Sequence, residues 1–255
     1  MINEFITALQ FLTRIRLVRE SVCDEVSFGR SVGFFPLVGL FAGGIIALVA
    51  LLTGGWLTAS FRSALVVSLA IFITGGLHCD GLMDTADGVF SGRSRERMLE
   101  IMKDSRVGSF GVVSMVLLVL WKWSLIHDLP ASLLAPALIS MMTFSRYAMV
   151  LAIVRFPCAR EEGMGKAFKA YAGPRALLIS SLTVIGFLLG LYLVSGISVL
   201  TGSLISLVAS LLFSFSFSTW LTRKLGGLSG DMYGAVAELS EVVVLIGFVM
   251  STYIR

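Results

Sequence analysis

GGLHCDGLMDTADGVFSGRSRERMLEIMKDSRVGSFG, residues 75–111, is a polar stretch set in an otherwise apolar chain. Its core is Asp80, Asp84 and Asp87, four and three residues apart. On a helix those offsets bring the three carboxylates within roughly 60° of one another, on one face. Like charges so placed repel. A hard cation such as Mg²⁺, which takes carboxylate oxygens together with substrate phosphates, relieves the repulsion. Farther along come Arg93, Arg95, Arg97, Lys103 and Arg106, donors suited to phosphate oxygens. Carboxylates for a metal followed by cations for phosphate is the pattern of a phosphoryl-transfer site. The competing reading is a solvated, salt-bridged loop between two spans; the helical spacing and flanking glycines of DGLMDTADG favour the site.

The remainder of the chain is suited to lipid. Of 255 residues, 56% are hydrophobic and 14% charged, and mean hydropathy is +0.92, which excludes an ordinary soluble domain. Seven stretches are long and apolar enough to cross a bilayer: about 32–54, 62–79, 109–127, 131–154, 175–196, 199–222 and 234–254. The opening MINEFITALQFL is too short to span and reads as an interfacial amphipathic helix within 1–31. The expected fold is all-α, a single polytopic membrane domain over 1–255 with about seven transmembrane helices.

Longer polar connections fall on one side: the N-terminal region, 80–108, 155–174 and 223–233. They hold Arg14, Arg16, Arg19 and Arg30, the five cations already named, then Arg155, Arg160, Lys166, Lys169, Arg175, Arg223 and Lys224. That is sixteen of the twenty Lys and Arg. By the positive-inside tendency this side is cytoplasmic, with the N-terminus inside and the C-terminus outside. The net charge of +4 is then a matter of orientation, and no nucleic-acid partner is expected. Cys23, Cys79 and Cys158 lack metal-ligand spacing and are expected as free thiols.

Two cations fall inside spans. Lys122, near the outer end of its span, is expected to snorkel to the interface. Arg146 lies roughly 12 Å from the inner end of its span. Either it forms an ion pair with a neighbouring helix, or it closes a polar cavity and meets a phosphate or the acidic cluster. Near the C-terminus Asp231, Glu238 and Glu241 are seven and three apart and share a helix face, with Gly234 on the same side. Carboxylates early in a helix suit its dipole, but acids entering an apolar span are functional candidates. Because apolar helices shelter such acids only around a shared polar cavity, this set is expected to converge with the aspartates of 80–87. His78 precedes Asp80 by two residues and is a secondary candidate.

HCDGLMDTADGVFSGRSRERMLEIMKDSRVGSFG resembles the signature of the cobalamin synthase family, G-G-x-H-x-D-G-L-x-D-T-x-D-G through K/R-D-S-R-x-G. The likeness extends from Phe11-Leu12-Thr13-Arg14 to GGLSGDMYGAVAELSE, which fits G-G-x-[ST]-G-D-x-x-G-A-x-x-E-x-x-E throughout. Ala159, Arg160, Glu162, Gly163 and Gly165 match a further segment, and Arg16 stands where the family usually has proline. The resemblance implies a bacterial inner-membrane transferase joining adenosylcobinamide-GDP to α-ribazole or its 5′-phosphate, with release of GMP. It implies Mg²⁺ as cofactor on Asp80, Asp84 and Asp87, and these with Asp231 as catalytic carboxylates. Substrate contacts would come from His78, Arg93, Arg95, Lys103, Asp104, Arg106, Arg146, Arg160, Glu162, Asp231, Glu238 and Glu241. The partners are those two substrates and the bilayer, with a second copy of the chain as a candidate. Two alternatives stay open. A CDP-alcohol phosphotransferase would carry Ala-Arg where Asp84-Thr85 stands, and a transporter would line a pathway with Arg146, Glu238 and Glu241.

Overall fold

The computed structural model describes residues 1–18, 25–160 and 164–253; Arg19, Cys23, Glu162 and Gly163 lie outside the described residues. The described residues are helical without a strand, and one isolated parallel bridge joins Cys158 to Leu228. In chain order the helices are α1 (Ile2–Leu12), α2 (Glu25–Ser31), α3 (Phe35–Leu52), α4 (Ala59–Thr74), α5 (Leu77–Phe90) and α6 (Arg95–Ile101). Then follow α7 (Ser109–Asp128), α8 (Ala131–Arg155), α9 (Met164–Tyr171), α10 (Pro174–Leu225) and α11 (Gly230–Ser251).

α8 is the centre of the bundle. It lacks a polar stripe, and its residues are buried on nearly every side, as expected of a helix apolar around its circumference. Small residues let its neighbours approach. A Cβ on Gly39 of α3 would lie 2.3 Å from the Met142 carbonyl oxygen, and one on Gly43 would lie 2.8 Å from the Ile139 Cα. These glycines one turn apart form a small-xxx-small contact. On the other side Gly247 of α11 faces Ser206 of α10, and Gly202 faces Ser251, again at separations too short for a Cβ. The buried serines 206, 210, 214 and 218, four apart, are one close-packing stripe of α10.

Five helical segments are long and apolar enough to cross a membrane, and six when α4 and α5, bent by 90°, are taken together. The seven separate stretches expected from sequence differ from this in two places. The stretch 62–79 is divided at Gly75 and Gly76, and 175–196 and 199–222 lie in one helical run of 52 residues, Pro174–Leu225. At 1.5 Å per residue that run would measure about 78 Å, far beyond the ~30 Å of a hydrocarbon core. It is broken at Gly196, which has φ 77° and ψ −176°. Tyr147 Oη lies 2.9 Å from Ser181 Oγ, and the next residue, Ala148, accepts from Ser214 Oγ at 3.3 Å. Residues on opposite sides of Gly196 therefore reach one turn of α8, so the chain doubles back there. Leu178, Leu182, Ile185, Leu189 and Leu193 on α10, with Val113, Val116, Leu117 and Leu120 on α7, are exposed and apolar. That belt suits lipid, and the protein is a multi-pass membrane protein.

The N-terminal helix is amphipathic, as its sequence suggests, and it is docked on the bundle. Ala8, Leu9 and Leu12 of α1 are buried, Glu4 accepts from both terminal nitrogens of Arg175 at 2.9 and 3.0 Å, and Phe11 packs with Phe28, Phe35 and Phe168. This gathers α1, α2 and α9 at the end of the bundle where α5 begins.

Gly39→Ala should lower the unfolding temperature in detergent, by the ~1–3 kcal/mol typical of overpacking, because backbone must move. Gly44→Ala, where a Cβ would meet nothing within 4 Å, should be neutral or slightly stabilising. Equal effects of the two would contradict the packing described.

Candidate active site

The site begins at a corner. α4 ends at Gly75 (φ 64°) and Gly76 follows at φ 73°, left-handed conformations that glycine adopts without steric cost. The chain turns there into α5. The Arg14 N–H donates to the Ile73 carbonyl at 2.8 Å and its guanidinium to the Gly75 carbonyl at 3.3 Å, so the segment after α1 clasps the corner. α5 then crosses α11 almost backbone to backbone. A Cβ on Gly81 would lie 2.5 Å from the Asp231 carbonyl oxygen, and one on Gly234 would lie 3.1 Å from the His78 carbonyl oxygen. This crossing sets Asp80 and Asp84 beside Asp231, about 150 residues away in sequence.

Of the four aspartates, Asp80 is exposed, Asp84 and Asp231 are partly buried, and Arg160 pairs with Asp231 at 3.1 Å. Ser229 Oγ donates to the same carboxylate at 3.2 Å. The loop carrying Arg160 is held in place by backbone bonds from Ala159 N–H to Leu228 and from Leu228 N–H to Pro157. Asp87 is engaged by the backbone of α7. Its two oxygens accept the N–H groups of Gly108 and Gly111 at 2.7 and 2.8 Å. It therefore caps the start of α7, and the glycines of SRVGSFG leave room for it.

Among the described residues, no three His, Cys, Asp or Glu side chains stand close enough to hold a metal unaided. Mg²⁺ does not need such a cage, since it commonly binds one or two carboxylates plus waters and substrate phosphates. Asp80 and Asp84, one turn apart with Asp231 adjacent and Arg160 as the opposing charge, are a donor set of that kind.

The cations expected around the aspartates are mostly engaged elsewhere. Arg95 Nε donates to the Leu225 carbonyl at 2.8 Å, closing the end of α10. Arg97 pairs with Glu100. Arg106 pairs with Asp104 through two bonds of 3.0 and 2.7 Å, and those bonds hold the exposed Asp104 carboxyl down at about 2. Arg93 and Lys103 are exposed, and neither forms an ion pair among the described residues.

Glu238, Glu241 and Arg146 are not at the surface of a substrate site. They form a buried cluster with Lys122: Lys122 bonds both glutamates, and Arg146 bonds Glu241. Lys122 is 3% exposed and does not snorkel; the two acids of α11 draw it inward. Arg146 forms an ion pair with Glu241 of the second acidic set, and Arg146, Glu238 and Glu241 are all buried. Arg146 also donates to His78 Nδ1 at 3.1 Å. A guanidinium has only donors, so His78 is neutral there and carries its hydrogen on Nε2. The buried Cys79 sulfur lies 3.5 Å from Glu238. Thus the two acidic sets converge only in part, with Asp231 joining the aspartates and the glutamates lying in the closed cluster.

Two cavities meet at Asp80. The larger, about 540 Å³, is lined by Gln10, Thr13, Arg14, Arg16, Thr74 and Met115 besides Asp80. The smaller, about 120 Å³, lies against His78, Gly81, Asp231 and Gly234. Arg14 and Arg16 were assigned by sequence only to orientation; the F-L-T-R likeness was the one signal of a further role.

A helical membrane bundle with carboxylates and guanidinium groups around adjoining cavities suits phosphorylated substrates beside a bilayer. More specifically, the chain belongs to the cobalamin-5-phosphate synthase family, whose pattern matches residues 4–249. It is 38% identical over 253 residues to the adenosylcobinamide-GDP ribazoletransferase of Roseiflexus sp. (strain RS-1), covering 97% of this chain and 90% of that one. The protein of that name from Desulfitobacterium hafniense (strain Y51) is 40% identical over 244 residues, 94% of each chain. That from Desulforamulus reducens is 37% identical over 262 residues, 100% of this chain and 99% of the other. No solved structure matches.

Removing one member of the buried cluster leaves an uncompensated charge. Lys122→Met should destabilise by ~3–5 kcal/mol, and adding Glu238→Gln should recover part of that loss. Thermal unfolding of the single and double variants in nanodiscs measures both; a double variant less stable than Lys122→Met would refute the coupling.

Proposed function

We propose that the protein joins adenosylcobinamide-GDP to α-ribazole or its 5′-phosphate, the final joining step of cobalamin synthesis. The observation that carries this is the family match over residues 4–249, supported by the names of full-length relatives. A ribazole hydroxyl attacks the phosphorus joined to cobinamide, the bond to GMP breaks, and adenosylcobalamin or its 5′-phosphate forms. Asp80 and Asp84 would hold Mg²⁺, which when bound supplies neutralising charge to the diphosphate. Asp231, oriented by Arg160 and Ser229, is within the same group and takes the proton of the attacking hydroxyl. The α5–α11 crossing fixes these carboxylates relative to one another, so orientation is set before substrate arrives. Asp87 acts by holding α7, and Glu238, Glu241 and Arg146 by holding α11 to α7 and α8.

Purified protein in nanodiscs should release GMP from adenosylcobinamide-GDP and α-ribazole, and chelation by EDTA should abolish it. Asp84→Asn should reduce kcat at least ~10³-fold, the equivalent of several kcal/mol of charge stabilisation, with no loss of thermal stability because one repelling charge is gone. The Asp84→Asn and Asp231→Asn losses should be strongly non-additive in a double-mutant cycle. Simple addition would mean two independent sites.

We also propose seven crossings, with the two legs of α10 counted separately and the α4 crossing ending at the start of α5, in the bacterial inner membrane. The charge partition sets the N-terminus inside and the C-terminus outside. Reporter fusions should place 80–108 in the cytoplasm and the C-terminus outside. Cys158 should label from the cytoplasmic side, whereas Cys79, being buried, should label from neither. An external 80–108 loop overturns the topology.

A further inference from the structure

We propose that the N-terminal arm, through Arg14 and Arg16, is the diphosphate-binding wall of the active-site cavity. This deepens the function proposed above and rests on it for the identity of the substrate.

Four observations converge. First, both guanidinium-bearing residues line the cavity of about 540 Å³ that Asp80 also lines. Second, the arm has a defined shape. Thr13 leaves α1 in an extended conformation, its hydroxyl oxygen accepts the Ile15 N–H at 3.1 Å, and Gln10 Oε1 accepts the N–H groups of Leu17 and Val18 at 3.0 and 2.8 Å. Those bonds fold residues 13–18 back over α1 with Arg16 between two fixed points. Third, the Arg14 backbone and guanidinium are tied to the α4–α5 corner, so any movement of the arm is coupled to the helix that carries Asp80 and Asp84. Fourth, several of the other arginines of this end are occupied, although, among the described residues, Arg93 is not. Arg95 closes α10, Arg97 and Arg106 are paired within their own segment, and Arg160 is held by Asp231. Arg16 has no hydrogen-bond or ion-pair partner among the described residues.

A diphosphate is the ligand these features select. Guanidinium groups present paired donors that match phosphate oxygens, and two of them on one wall outweigh the single carboxylate of Asp80 facing them. A neutral nucleoside would leave both cations without an acceptor. The cavity thus sorts the substrates: the GDP-linked one against the arm, the ribazole on the Asp231 side of Asp80.

The test is GDP and inorganic pyrophosphate binding to the full chain in nanodiscs, by calorimetry with and without Mg²⁺, alongside steady-state kinetics. Arg16→Gln should weaken GDP binding and raise KM for adenosylcobinamide-GDP by ~10–100-fold, the range expected for a charge-assisted hydrogen bond. KM for α-ribazole and the unfolding temperature should not change, and Arg16→Lys should restore part of the affinity. Arg97→Gln, removing an exposed pair with Glu100, should leave GDP affinity unaltered. Wild-type protein that binds neither GDP nor pyrophosphate, or Arg16→Gln protein that binds GDP as tightly as wild type, overturns the proposal. Arg16-dependent GDP binding without GMP release from the substrate pair would support the clamp and refute the reaction. Turnover that is indifferent to Arg16 would refute the clamp alone.

Discussion

Where α5 crosses α11, the Asp231 carbonyl oxygen and the His78 backbone occupy the space that side chains on Gly81 and Gly234 would need. That contact decides what the rest of the end can be. Any side chain at Gly81 would meet the Asp231 carbonyl oxygen at 2.5 Å, forcing α5 from α11 and Asp80 and Asp84 from Asp231. The same contact seats His78 against Arg146 and Cys79 against Glu238. The glycine after the first aspartate therefore serves helix packing, and the acidic group exists because two backbones can touch.

Below the crossing, Lys122, Arg146, Glu238 and Glu241 bring two positive and two negative charges out of water. Their formal charges cancel, and each is buried with a partner, which is the arrangement in which desolvation of ions can be offset. The cluster joins α7, α8 and α11, and among the described residues it supplies the side-chain hydrogen bonds and ion pairs between these three helices. Sliding α11 by one turn would part Glu241 from Arg146 and leave a buried charge alone. The polar contact therefore favours one register over neighbouring ones that apolar packing tolerates.

The all-helical membrane fold was legible from hydropathy, because span length and apolar composition are properties of each segment by itself. The corner at Gly75 and Gly76 and the long run through Gly196 were less so. Glycine permits a break without requiring one, and its angle is set by partners elsewhere, Arg14 at one corner and α8 beside the other. At the site, spacing put Asp80, Asp84 and Asp87 on one helix face, while it gave no sign that Asp87 also receives backbone bonds from α7. Helical periodicity reports which residues share a face, and it is silent on the two α7 amide groups waiting opposite one of them. Arg14 and Arg16 were counted for orientation because their nearness to Asp80 arises from an irregular arm, which has no period to read.

Two acidic sets with helical spacing look alike in sequence, and the opposing helices separate them. Opposite Glu238 and Glu241, α7 brings Lys122 and α8 brings Arg146, two cations for two acids, and the group closes on itself without solvent. Opposite Asp80, Asp84 and Asp231, among the described residues, the fold brings Arg160 alone into direct pairing. Three carboxylates answered by one guanidinium retain uncompensated negative charge, and that charge borders an open cavity with further arginines on its far wall. Burying this group as the other is buried would leave carboxylates unpaired at a cost of several kcal/mol each. The imbalance is tolerable only while the site stays accessible to a cation and to the phosphates that accompany it. The excess of acid over base at the crossing, more than the presence of acids, is thus what distinguishes the proposed site from the structural cluster in this bundle.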